Sequence, residues 1–467
     1  MFVCIIYNIQ YHSTLNDIEN RNHSTMDTIV SASDDILIDA LSFKLGNSAS
    51  YITDRKSVTF WPSGSNIYKT ASGTKVIKFQ LNGEGWLDPS TVRINFNLVN
   101  NDADAAKFVR PLQGGHSFFR RLRISANGAL VEDFDYNRTH QMFEMLTSVH
   151  NRDNDMIEGL GYRSDSVAPG GTHDLNTLPG IAGGSYQTIG MKLCSGLLNQ
   201  SKMLPLKYMG NLTIELELVN NANDPVVTPG VDSTFTVANT TNDWQLENVQ
   251  LKCDIVSIDN TLQNNYDSHL LNGGKLPLSY NTYITQSQAV SGQDVSVNVS
   301  RAISRLKSVF VSFYKTPAVA TAIDKEWLNF MHPMENATGL KYDKAYELEF
   351  QMQIGSKLFP EYPIRSLSES FSQLKKSVGI LGSNFHSVSI SPLQYRNDHF
   401  IVGIDTEKAL GASYTGLSTR SGDLLSIRVK AQDKGTLSVA NMMDQLHIVL
   451  HADCVIELSD SGVSVYD

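Results

Sequence analysis

Side chains able to do chemistry are scattered through this 467-residue chain, and their spacing decides what each can do. His447 and His451 stand four apart, the separation of two metal ligands on one helix face. Leu446, Ile448 and Leu450 alternate around them with period two, so the segment reads as a strand. Four strand residues span roughly 13 Å, whereas two ligands of one zinc each lie about 2 Å from the ion, and the pair reads as structural. His332 in "FMHPMEN" and His399 in "NDHF" have no partner close in sequence and read the same way. Asp34 with Asp35, or Glu347 with Glu349, supply carboxylates, but nothing selects either pair as the acid and base of a glycosidase. The segment "LNGGKLP" around Lys275 lacks the spacing of a phosphate loop and reads as a turn; G-x-S-x-G and HExxH motifs are absent. The residues therefore call for no catalytic group, no metal and no cofactor.

The formal net charge of −10 makes the surface repel polyphosphate, which argues against a dedicated nucleic-acid binder. Arg120, Arg121 and Arg123, and later Arg301, Arg305 and Lys307, lie in strand-like segments and read as solvated faces or salt-bridge partners. Cys4, Cys194, Cys253 and Cys454 show no paired spacing, and Cys253 runs in phase with Val249, Leu251 and Ile255, so free core thiols in a reducing compartment are expected. Trp61, Trp86, Trp244 and Trp327 are too dispersed to suggest a sugar-binding platform. The opening run "MFVCIIYNI" is too short to span a bilayer and lacks the flanks of a signal peptide. Residues 1–50 are expected to be an arm or extension, and Met26 offers a more natural start.

Stepping outward from single residues, the elements are mostly strands. Val92, Ile94, Phe96 and Leu98 alternate with Arg93, Asn95 and Asn97, and the same period recurs at 212–218, 249–255, 295–299, 348–354 and 446–450. One apolar and one polar face per strand implies antiparallel sandwiches, and the length suits two of them, over 51–260 and 261–467. Long irregular stretches at 152–186 and 220–243 read as elaborated loops. A weak repeat pairs "HSFFRRLRISANG" and its following "HQMFEML" with "RLKSVFVSFYK" and its following "DKEWLNFMHP".

Two segments carry helical spacing instead. One holds Met142, Leu146 and Val149 with Phe143; the other holds Ile364, Leu367, Phe371, Leu374 and Val378. In the second, Ser366 and Glu369 form S-x-x-E, a cap in which each side chain satisfies a free backbone N–H, and Gly379 supplies the stop. Leu367, Phe371 and Leu374 are expected on a wall or interface, the helix serving structure rather than chemistry.

The stretch "FQMQIGSKLFPEYPIRSLSESFSQLKKSVG", the later "FIVGIDTEKALGASYTGLSTRSGDLLSIRVK" and, in the first half, "FFRRLRISANGALVEDFDYNRTHQMFEML" resemble the double jelly-roll major capsid proteins of polinton-like viruses, virophages and related eukaryotic DNA viruses. That resemblance implies two eight-stranded jelly rolls in one all-β chain, a homotrimer of pseudo-hexagonal outline, and trimer-trimer contacts that tile an icosahedral shell. It further implies minor or penton capsid proteins as partners, no sequence-specific nucleic acid, and a virion assembled in the host cytoplasm or nucleus; a membrane beneath the shell is not written in these residues. A glycan-binding or glycan-hydrolysing protein on a paired jelly-roll fold is the alternative.

Overall fold

The computed structural model describes residues 51–467 apart from 72–73, 112–113, 149–179, 227–239, 291–293, 315–329, 331, 334–347, 382–387, 398, 410–413, 421–423 and 432–444. The expected N-terminal arm and most of both long loops lie outside the described residues. Among the described residues no helix is long and apolar enough to cross a membrane.

Sixteen principal strands fall into two runs of eight. The first run is β1 (Ile52–Phe60), β2 (Val76–Leu81), β3 (Trp86–Asn100), β4 (Phe119–Ala126), β5 (Ala129–Asp135), β6 (Tyr186–Lys192), β7 (Leu212–Leu218) and β8 (Trp244–Ile258). The second is β9 (Leu276–Ala289), β10 (Asp294–Val299), β11 (Leu306–Tyr314), β12 (Leu348–Ile354), β13 (Lys357–Ile364), β14 (Ile401–Asp405), β15 (Leu425–Ala431) and β16 (Gln445–Ser459). In the first run the sheets are ordered β1-β8-β3-β6 and β2-β7-β4-β5, and in the second β9-β16-β11-β14 and β10-β15-β12-β13. Each run is thus a sandwich of two antiparallel sheets, and the two have the same order strand for strand.

The alternation read from the sequence is the cause of this layering. Val92, Ile94, Phe96 and Leu98 are at most 1% exposed and point into the first core, and Leu348, Phe350, Met352 and Ile354 alternate inward in the second. The sheet β9-β16-β11-β14 departs from the expected single polar face, since β11, β14 and the first half of β16 are buried on nearly every residue. Its second face is covered by two helices of the same chain, α1 (Tyr136–Leu146) and, after α2 (Asn260–Leu271) between the two runs, α3 (Leu367–Ser377).

α1 and α3 both follow the fifth strand of their run and precede the sixth, so they are the corresponding excursions of the two sandwiches. The repeat read from sequence is therefore misaligned: "FFRRLRISA" is the fourth strand of its run, whereas "LKSVFVSFY" is the third. A basic, aromatic strand is a pattern too common to fix register. Most of "DKEWLNFMHP" lies outside the described residues.

α3 lies flat on β14 because Gly403 has no side chain. A Cβ there would stand 2.8 Å from Ser377 Oγ, 2.9 Å from Ser377 Cβ and 3.2 Å from Leu374 Cα, closer than packed carbon atoms approach. Gly403→Ala is expected to push α3 off its seat and to cost about 1–3 kcal/mol of stability. Urea unfolding of the purified variant checks this, and an unchanged midpoint would contradict the close seat.

Candidate functional site

β5 runs directly into α1, and this continuous stretch meets the second sandwich along its length. Val131 O accepts from Tyr280 Oη at 2.9 Å, and Asp135 N–H donates to Thr285 Oγ1 at 2.9 Å. Phe134 stands edge-on to Tyr283, with ring centroids 5.7 Å apart. α1 then lays Phe143 against Tyr283 and Phe310, sets the Arg138 guanidinium 3.3 Å over the Tyr314 ring, and buries Met142, Met145 and Leu146 in the second core. In the opposite direction, Leu278, Tyr280, Cys454, Ile456 and Leu458 of the second run belong to the first core. The two sandwiches are interlocked rather than merely adjacent.

The seam contains a buried acid. Glu132 is 1% exposed, and its carboxylate accepts from Ser195 Oγ, from Gly196 N–H at 2.9 Å and from Leu197 N–H at 3.2 Å. Burial pushes the carboxyl up to about 7, against the pull of these three donors. The Gly196 turn presses on the second run so closely that a Cβ would lie 1.4 Å from Asn281 O. Beside it a cleft of about 360 Å³ is lined by Tyr280, Asn281, Tyr283, Tyr414 and Asp453.

α1 also carries His140 and Glu144 one turn apart, and the turn Gly115–Phe118 brings His116 to them. The two imidazoles stack 4.3 Å apart at 3°. His116 Nε2 is 2.7 Å from Gln141 Oε1, its Nδ1 is 3.6 Å from Glu144 Oε2, and His140 Nδ1 is 3.0 Å from Tyr136 Oη. Burial holds His116 down to about 4 and His140 well below the ordinary histidine value, so both are neutral near pH 7. This trio was missed in the sequence, although H-x-x-x-E at 140–144 within a helical segment was the available signal. His116 reaches them only through the fold. His447 and His451 behave differently: each Nδ1 lies 3.1 Å from its own serine hydroxyl, Ser287 or Ser308, and burial drives both down to about 3.

No family model matches the sequence, and no curated protein matches it either. Solved structures do match the fold. PBCV-1 VP54, fitted into a reconstruction of the virophage Sputnik, is 10% identical over 91% of this chain and 98% of its own, with a TM-score of 0.58. This chain has the double jelly-roll fold. The Sputnik virophage structure (9% identity, 95% and 94% covered, TM-score 0.58) and the Faustovirus major capsid protein (9%, 90% and 93%, TM-score 0.55) are similar to it over almost the whole double jelly roll. At such identity the shared property is strand order and layering.

Within the second jelly roll, Ser366 Oγ accepts from Glu369 N–H at 3.1 Å, and the Glu369 carboxylate accepts from Arg365 N–H at 2.8 Å rather than from the cap residue itself. Leu367 and Phe371 are half-buried against the core. Leu374 is 1% exposed inside its own chain, on the side of α3 that faces β14. Three of the basic side chains are paired within the chain: Arg120 with Glu217, Arg121 with Asp133, and Lys307 with Glu407 at 3.3 Å. Cys194, Cys253 and Cys454 are free thiols. Trp244 is 3% exposed, Trp86 packs against Tyr208 and Tyr266, Trp61 is 59% exposed, and Trp327, Glu347, Cys4, Asp34 and Asp35 lie outside the described residues.

Glu132 gives the double jelly roll a pH dependence of definite sign. Between about pH 4.5 and pH 7 the unfolded chain ionises this carboxyl while the folded chain keeps its proton, so stability falls as pH rises; above pH 7 the cost is constant. The full cost is on the order of 3 kcal/mol. The buried histidines slope the other way, so the effect is read as a difference: from pH 5 to 7.5 the melting temperature of the parent should fall relative to Glu132→Gln. Parallel melting curves for the two proteins would contradict a protonated seam acid.

Proposed function

We propose that this chain is a major capsid protein of an icosahedral DNA virus, with a structural rather than enzymatic role. The observation that carries this reading is the duplication: two sandwiches of identical strand order in one chain, so that three chains around a threefold axis present six near-equivalent barrels. Such a trimer has a pseudo-hexagonal outline and tiles a surface as a hexagon does. The capsid assignment of the solved double jelly rolls, which match over 90% or more of this chain, supports the same role.

In this reading residues 51–260 and 261–467 are the two tiles of one block, and residues 1–50 an arm. The sheet edge at β13 is the interface we infer, because Leu358 and Tyr362 on that edge strand are 40% and 78% exposed, with Leu424 at 53%. α3 stiffens the wall behind it: Ser366 and Glu369 secure its first turn, Leu374 anchors it inward, and Leu367 with Phe371 sit at the margin. Contacts between trimers are weaker than those within one, so that misplaced capsomers dissociate, and minor or penton proteins complete the vertices. The shell is part of the virion and assembles in the host cytoplasm or nucleus.

Light scattering of purified protein should give three times the 51.7 kDa chain mass, and electron micrographs should show hexagonal arrays at high concentration. Tyr362→Asp with Leu358→Asp should yield a folded monomer. A parent protein that stays monomeric at every concentration would sink the proposal.

A further inference from the structure

We propose that His116, His140 and Glu144 form a binding site for a divalent transition metal of the zinc class, and that the ion clamps α1 to the Gly115–Phe118 turn. One donor atom from each residue lies within 4.8 Å of the others. Ligands at about 2.0–2.1 Å from a common zinc stand roughly 3.3 Å apart, so the imidazoles must rotate out of their parallel stack to close the set. Two imidazoles and one carboxylate are a donor set that zinc takes with a water in the fourth position, and nitrogen donors disfavour calcium and magnesium.

The surroundings are those of a ligand shell. His116 Nε2–H donates to Gln141 Oε1, which leaves its Nδ1 lone pair facing the Glu144 carboxylate 3.6 Å away. A cation placed between the two would be attracted to both. His140 Nδ1 is 3.0 Å from Tyr136 Oη, and that oxygen accepts from Cys194 N–H, so Nε2 is the nitrogen left for an ion, which displaces any proton held there. Each histidine thus has one nitrogen fixed by a protein group and the other for the metal, the arrangement that orients metal-binding histidines generally. His116 is 3% exposed, while the Glu144 side chain is 21% exposed and gives the ion a route in.

The position gives the ion a structural task. His140 and Glu144 lie on α1, whose Met142, Met145 and Leu146 are buried in the second core, while His116 belongs to the first run. A metal there fastens the bridging helix to its own jelly roll.

The test uses the full chain in its native oligomer, chelator-stripped and then dialysed against zinc chloride. Elemental analysis should find one zinc per chain, and zinc should raise the melting temperature of the parent. His140→Gln should lose stoichiometric zinc while keeping the parent's circular dichroism; Glu144→Gln, a milder change at the exposed position, should weaken zinc at least tenfold. Cobalt in place of zinc gives a second readout, a visible spectrum that changes in Glu144→Gln. If the stripped parent takes up no zinc, or if the parent and both variants bind it equally, the site is instead a hydrogen-bonded histidine stack and the proposal is overturned.

Discussion

Glu132 sits where the two jelly rolls meet, a nearly inaccessible carboxylate whose oxygens accept from Ser195, Gly196 and Leu197 while the Gly196 turn presses on Asn281. Around it Tyr280 donates to Val131, Thr285 accepts from Asp135, and α1 crosses onto the second core. Apolar contacts are non-directional and would tolerate a slide of one sandwich over the other. Directed hydrogen bonds and a turn with no room for a side chain do not. The relative setting of the two barrels follows from this seam, and every larger property of the molecule depends on that setting.

In the proposed role the chain must be rigid across its width, because angular error accumulates from tile to tile. Duplicating a sandwich supplies the repeat, but by itself leaves a hinge at α2, the helix between the runs. The helical excursion after the fifth strand is reused to remove that hinge: in the first run it reaches across to cover β9 and β11, and in the second it covers β14 of the same sheet. β11, β14 and the first half of β16 are consequently buried on both faces. That explains why His447, placed on the outward face by strand phase, is nevertheless fully buried, why His451 is half-buried, and why both are neutral.

Much of this was legible in the residues. Period-two alternation in 92–98 and 348–354 placed strands and core correctly, and Ser366 with Glu369 announced the start of α3. α2 was missed because it buries only Leu270 and is held by polar bonds instead, from Trp86 to Gln263 and from Lys207 and Tyr208 to Asp267, which leave no apolar stripe. The seam was equally hidden: Glu132, Ser195 and Tyr280 are far apart in sequence and unremarkable singly, and only folding brings them together. The stripe of Leu367, Phe371 and Leu374 shows that one face of the helix is buried but not whether its own chain or another covers it, so the sequence leaves wall and interface undivided.

The seam makes two jelly rolls into one mechanical unit. Hydrogen exchange read by mass spectrometry across a urea series tests it directly, by following β8 of the first run and β16 of the second. If the claim holds, amides of both strands lose protection together at one denaturant concentration, with those of β5 and β9 at the seam. Loss of protection in one jelly roll while the other and the seam strands stay closed would contradict it.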